Sequence, residues 1–284
     1  MKADCHIHMV LDGDFWRSAI DAHRNEPNRE LIHARLRAYA DAGFTYLRDG
    51  GDRWGVGAAA REIAPEYGIT YRTPLAPLCR AGHYGAFIGK KFENIRGYTK
   101  LVRENRARGG DFIKIMISGL MDFDHCGVLT EDGLEPKMIQ QMIHIAHEEG
   151  FAVMAHANGA RTVEAAAEAG VDSIEHGAYL DEAALAAMAE AGTVWCPTLS
   201  AIGNLRGTGR YDEEQVAQIY AGAQENVRRF AQMGGRIAPG SDAGAWAVPH
   251  VRGGMDEYAH LAAALGENTE SILLRGIEAI RKTF

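Results

Sequence analysis

The sequence predicts an α/β fold: a (β/α)8 TIM-type barrel, one domain over residues 1–284, without a flanking β-sandwich. Three observations predict it. Short apolar runs alternate with amphipathic helical stretches, the pattern of parallel βαβ units. The alternation recurs eight times, which suits a closed barrel better than an open doubly wound sheet. No Gly-x-Gly-x-x-Gly follows the first strand, which counts against a dinucleotide fold. With 284 residues, 46% of them hydrophobic, the chain can bury a large core.

The elements follow in order. Ala3 to Val10 reads as a first strand. Glu30 to Ala42 has helical periodicity, with Ile32, Leu36, Tyr39 and Ala40 on one stripe. Phe44 to Leu47 is a second strand, followed by the turn Arg48-Asp49-Gly50-Gly51. Gly57 to Tyr67 is a helix and Ile69 to Arg72 a third strand. The glycine-containing stretch Leu78 to Gly85 reads as a loop. Tyr98 to Arg108 is a helix and Asp111 to Met116 a fourth strand. Lys137 to Gly150 leads to a fifth, Ala152 to His156, and Ala160 to Ala169 to a sixth, Val171 to Glu175. Asp181 to Ala191 precedes the seventh, Thr193 to Cys196, and Asp212 to Met233 the eighth, Arg236 to Ala238. Thr269 to Lys282 is a last helix.

The net charge of −8 and a pI near 5.8 argue against a nucleic-acid-binding surface. No apolar run approaches a membrane span, and the first residues do not read as a signal peptide. The four cysteines, Cys5, Cys79, Cys126 and Cys196, are scattered. That fits a reducing cytoplasm better than a disulfide framework.

The chemistry begins at Cys5-His6-Ile7-His8. Two histidines spaced i, i+2 on a strand share a face. Imidazole is a common neutral metal ligand. Four further candidates lie at or just beyond expected strand ends: Lys114, His156, His176 and Asp242. In a barrel these ends gather at one face. Taken alone, His156 and His176 read equally well as core histidines, Asp242 as a turn or N-cap residue, and Lys114 as a strand-end lysine. Together, imidazole and carboxylate suit zinc or another divalent first-row metal. Apolar flanks disfavour the charged form of Lys114. A neutral amine can take up CO₂ as a carbamate.

The set His6-Ile-His8, Phe-Ile-Lys114-Ile-Met, Ala-His156-Ala-Asn-Gly, Ser-Ile-Glu-His176-Gly and Gly-Ser-Asp242-Ala-Gly resembles the amidohydrolase superfamily. It is most similar to the branch of imidazolonepropionase-like proteins and metal-dependent prolidases. The resemblance spans about the whole chain and implies a binuclear metal centre, most readily zinc. His6, His8 and Asp242 would hold one metal, His156 and His176 the other, and a carboxylated Lys114 would bridge them. It also implies that a hydroxide between the metals attacks a carbonyl carbon while Asp242 shuttles the proton. Gly82-His83-Tyr84-Gly85 is similar to a family loop whose histidine faces the substrate carbonyl, so His83 is a candidate oxyanion donor, with a solvent-exposed loop histidine as the equal alternative. Arg48-Asp49-Gly50-Gly51 resembles a family segment that supports the site from behind. Arg80, Tyr84, Tyr179 and Arg206 are candidate substrate contacts, the arginines as readers of a carboxylate; a solvated surface role competes for each. Many relatives carry a β-sandwich for which this sequence has no room. The stretches Leu11–Glu30 and Leu120–Leu134 are expected to shape the pocket instead.

The expected activity is hydrolysis of an amide-type bond in a small molecule such as a dipeptide, N-acyl amino acid or cyclic amide. Two alternatives stay open: a lactonase or phosphoester hydrolase on the same centre, and a non-catalytic metal-dependent ligand-binding barrel. Homo-oligomerisation is also open.

Overall fold

Ten strands, most of them largely buried, form the interior of the computed structural model, which describes residues 2–284. They are β1 (Lys2–Ile7), β2 (Phe44–Asp49), β3 (Thr70–Arg72), β4 (Leu78–Arg80), β5 (Lys90–Phe92), β6 (Ile113–Met116), β7 (Val153–Ala157), β8 (Ser173–His176), β9 (Val194–Cys196) and β10 (Arg236–Ile237). Three form one sheet, ordered β1-β2-β3, and seven form a second, ordered β10-β9-β8-β7-β6-β4-β5. Every strand pairing is parallel. Parallel strands need both faces covered, so their sequences read as continuous apolar runs such as Ile-Lys-Ile-Met.

Helices supply the cover. They are α1 (Trp16–Asp21), α2 (Arg29–Asp41), α3 (Val56–Ile63), α4 (Ile95–Ala107), α5 (Pro136–Glu148), α6 (Ala160–Glu168), α7 (Glu182–Ala191), α8 (Ser200–Gly203), α9 (Glu213–Gln232), α10 (Arg252–Leu265) and α11 (Thr269–Thr283). Four begin on a side chain that accepts a backbone N–H: Asn28, Asn94, Asp181 and Asp212. The helix expected over Gly57–Tyr67 is α-helical only to Ile63 and continues as a 3₁₀ turn, Ala64–Tyr67. Pro65 has no N–H to extend the α ladder.

Backbone hydrogen bonds join the two sheets. Cys5 N donates to Pro239 O at 2.8 Å, Asp242 N to His6 O at 2.8 Å and His8 N to Ala243 O at 2.7 Å. These bonds fix β1 against the segment that follows β10. On the other side Asp111 N donates to Thr73 O at 3.0 Å, which joins the end of β3 to the start of β6.

Two expectations need correction. The stretch Leu78–Gly85 is not all loop, because Leu78–Arg80 is β4, paired to β5 and to β6. Leu78-Cys79-Arg80 stands between Pro77 and Gly82, turn residues that mask so short a strand. Helix α10 was not legible because Gly253 and Gly254 interrupt its pattern. Those glycines are where the helix presses on its neighbours: a Cβ on Gly254 would lie 2.9 Å from both Asp4 Oδ2 and Phe44 Cζ.

Helix α11 packs closer still. A Cβ on Gly276 would stand 1.9 Å from the Ile237 carbonyl oxygen of β10. Backbone cannot turn aside as a side chain can. Gly276→Ala is expected to destabilise the fold by about 1–3 kcal/mol, the scale of overpacking. Gly97→Ala in α4, where the nearest atom would be 3.6 Å away, should be neutral or stabilising by up to about 1 kcal/mol. Thermal melts of the two variants check the contrast.

Candidate metal centre

β1 sends His6 and His8 to the same side, as alternation requires. The chain after β10 brings Asp242 to meet them. His6 Nε2 and His8 Nε2 are 3.4 Å apart, and Asp242 Oδ1 is 3.5 Å from the first and 3.3 Å from the second. Three acceptor-capable atoms thus form a nearly equilateral triangle. A tetrahedral ion about 2.05 Å from each ligand would space them about 3.3 Å apart. The residues therefore fit a divalent metal, and their atoms converge before any ion is considered.

His6 is held from behind. Its Nδ1 is 2.9 Å from Glu175 Oε2, which turns Nε2 and its lone pair toward the triangle. Glu175 Oε1 accepts from Arg48 Nη2 at 2.7 Å and from Ser173 Oγ at 2.7 Å. Arg48 also donates from Nε to Cys5 O at 2.7 Å and from Nη1 to Ser173 Oγ at 2.9 Å. Burial alone would raise the Glu175 carboxyl, but Arg48 and His6 hold it well below its usual range. Glu175 is the site residue the sequence reading passed over. The signal was present, since Ser173 and Glu175 alternate on β8 and share a face.

His8 fits against Gly50, where a Cβ would lie 2.3 Å from the imidazole Cε1. His156 and His176 lie beside His6, with ring centroids 4.6 Å apart from each other and 5.1 Å between His176 and His6. They do not share the triangle. His156 Nε2 is 3.1 Å from Gly119 O, and His176 Nδ1 is 2.8 Å from Thr198 Oγ1. Trp195, buried and edge-on to Phe230, donates its indole N–H to His176 O at 3.0 Å. Burial, and then the charge of Lys114, lowers His6 to about 4 and His156 to about 3. Both are neutral at pH 7, as ligands must be.

Lys114 is 1% exposed and its Nζ has no hydrogen-bond partner among the described residues. Burial lowers its pKa to about 8, against the pull of Glu175. A buried amine that is partly neutral and unbonded is the form that reacts with CO₂. Three site residues have left-handed backbones: His176 at φ 70°, Thr198 at 49° and Asp242 at 61°. Each follows or ends a strand, and side chains other than glycine adopt such angles at a cost.

The triangle opens into a cavity of about 400 Å³. Leu11, Asp14 and Trp16 line it from the first expected pocket stretch, and Leu120, Met121 and Phe123 from the second. Tyr84 lines it too, its ring 4.7 Å from that of His156. The other expected substrate contacts do not. His83 faces Glu131, Nδ1 to Oε1 3.8 Å. Arg206 lies over the Tyr220 ring at 4.3 Å and donates to Gly203 O. Tyr179 borders a separate cavity of about 190 Å³ with Cys126 and Asn226. Arg80 ends β4, half-buried.

No family model matches the chain. The ochratoxinase of Aspergillus niger is 26% identical over 280 residues, covering 84% of this chain and 56% of that protein. The imidazolonepropionase of Ectopseudomonas mendocina is 29% identical over 228 residues, 67% of this chain and 53% of that one. A crystal structure of a Xaa-Pro dipeptidase with bound methionine in its active site superposes with a TM-score of 0.78 at 22% identity, over 99% of this chain and 75% of that chain. These matches support a member of the amidohydrolase superfamily. It spans about half the length of the curated relatives it matches. The likeness accords with the motifs that carried the resemblance, and the two relatives named above carry enzyme names.

The Gly50 cradle gives a test that leaves every ligand in place. Gly50→Ala should displace the His8 ring and weaken metal binding on the order of 10–100-fold, the scale of losing support around a ligand. Titration of chelator-stripped protein with zinc reads the affinity, and circular dichroism should show an intact fold.

Proposed function

We propose that this protein is a metal-dependent hydrolase that cleaves an amide-type bond in a small molecule. The observation that carries the reading is the His6–His8–Asp242 triangle at the floor of a cavity. His6, His8 and Asp242 would hold one divalent ion, His156 and His176 a second, and Lys114 carrying a carbamate would bridge them. The imidazole and carboxylate donors suit zinc. Such ions, when bound, make water nucleophilic near neutral pH and polarise a carbonyl. We read the two sheets as one closed (β/α)8 barrel over residues 1–284. The hydrogen bonds that join the two sheets support this, as does the placement of His6, His8, His156, His176 and Asp242 at or beyond strand ends.

The protein's own groups do the rest. Asp242 stays anionic: burial opposes this, but the surrounding histidines hold its carboxyl well below the usual range. Its carboxylate accepts the proton of the attacking water and returns it to the leaving nitrogen. Tyr84, its phenol kept protonated by burial, lies in the cavity and would donate to the developing oxyanion. His83, turned to Glu131, is less well placed for that role. Asn158, fixed by its own bonds to Ser118, Gly119 and Ala178, also lines the cavity.

Three expected outcomes test this reading. Metal-loaded protein should contain close to two ions per chain by elemental analysis, and a panel of amides, lactones and phosphotriesters should show turnover of amides. Asp242→Asn should lower kcat by at least about 10²-fold, the scale of general base catalysis; near-normal turnover with full metal content would assign the proton to another group. Tyr84→Phe should lower kcat/KM on the order of 10²-fold, as loss of an oxyanion donor does, while His83→Ala leaves it near wild type; the reverse ranking would restore His83.

Lys114→Ala should lose metal and activity together. Acetate or propionate, entering the space left by the side chain, should restore part of both when metal is added. Full metal content in Lys114→Ala without any additive would rule out the carbamate.

A further inference from the structure

The cavity walls are aromatic on two sides. On one side Trp16 and Phe87 meet edge to face, centroids 5.5 Å apart, and Tyr84 lies 5.9 Å from Phe87. On the other, Tyr211 lies 5.2 Å from Phe123 and 6.5 Å from Trp246. All six line the same space above the metal-binding triangle. Aromatic faces reward flat apolar ligands through area and quadrupole.

The charges are as informative. No lysine or arginine is among the described residues that line the cavity. Two carboxylates line it: Asp242, which belongs to the metal-binding triangle and would be neutralised there, and the exposed Asp14, which has no such partner in the lining. The nearby Arg210 lies over ring faces, 4.1 Å from the Trp246 centroid and 5.4 Å from that of Tyr211, and is outside the cavity lining. Arg80 and Arg206, the expected readers of a carboxylate, do not line the space. A substrate carboxylate entering between these walls would lose water and find no cation among the lining residues to replace it.

We infer that the site takes a neutral amide with a flat aromatic group and disfavours a free carboxylate on the substrate, with Asp14 as a specificity-determining residue. This rests on the amide-hydrolase reading and narrows its substrate class.

A matched trio of substrates tests it on metal-loaded protein. N-(2-naphthoyl)glycinamide and N-(2-naphthoyl)glycine share a scissile bond and differ by one charge; N-acetylglycinamide lacks the ring. The naphthoyl amide should exceed the acetyl amide in kcat/KM by about 50-fold, from burying roughly 100 Å² more apolar surface. It should exceed its acid partner by at least about fivefold, the scale of one like-charge contact in water. Asp14→Lys should shrink or invert that second ratio while leaving the first unchanged. Trp246→Leu should raise KM for the naphthoyl amide and not for the acetyl amide. An equal or higher kcat/KM for the acid in the wild-type protein overturns the inference, as does no advantage for the ring. Calorimetry with 2-naphthamide and 2-naphthoate separates this failure from that of the amide-hydrolase reading. If no amide is hydrolysed but naphthamide binds at least about fivefold tighter than naphthoate, the pocket chemistry stands and only the reaction is wrong. If naphthoate binds as tightly, the pocket chemistry is wrong as well.

Discussion

Everything at the centre of this molecule leans on one buried ion pair, Arg48 with Glu175. Both side chains are inaccessible to solvent. An isolated charge there would cost several kcal/mol, and each is tolerable only because the other is present. The pair also closes a circuit of bonds. Arg48 comes from β2, its acceptors Cys5 O and Ser173 Oγ from β1 and β8, and Glu175 hands the arrangement on to His6. One guanidinium therefore ties the three-stranded sheet to the seven-stranded one and sets the ring orientation of the first histidine. Packing, charge balance and site geometry are a single problem here. The Arg48 guanidinium also lies 4.4 Å from the Phe284 ring, so the end of α11 caps the same cation.

The site was legible where its residues obey a local rule. His6 and His8 declare themselves by the two-residue period of a strand. Lys114, His156 and His176 lie on strands that the alternation of apolar and helical stretches locates. Asp242 was visible as a polar residue after the last strand, but Gly-Ser-Asp-Ala-Gly also reads as a plain turn. Its left-handed backbone shows that both are true: it is in a turn, and the turn aims it. Glu175 stood next to a chosen residue and was overlooked because a carboxylate inside a strand has no meaning until its cation is known. That cation is 127 positions earlier in the chain.

The substrate contacts were not legible, for a different reason. The cavity walls come from the segments around Trp16, Phe87, Phe123, Tyr211 and Trp246, which are remote in sequence and lie outside the helices that carry a period, apart from the short α1. Nothing local distinguishes an aromatic residue on a loop that faces a cavity from one that faces water. Charge was equally misleading. Arg206 is in the right region, but its guanidinium is captured by the Tyr220 ring. The strands themselves were found almost completely, because burial on both faces leaves a continuous apolar signature. The pair β4 and β5 escaped because β5 reads Lys-Lys-Phe, without an apolar run, and β4 reads Leu-Cys-Arg between Pro77 and the Gly82 turn.

The bond from Trp195 to the carbonyl of His176 carries an optical consequence. Its indole is sealed from water and coupled through one hydrogen bond to a residue at the lip of the centre. A sealed indole emits at shorter wavelength than one in water, whereas Trp16 and Trp246 sit at the cavity wall. The same chain thus holds one indole behind the site and two facing its contents, with the half-buried Trp54 outside the cavity lining. With Trp54 replaced by Phe, a movement of the strand end and the arrival of a ligand leave different spectral traces without any added label.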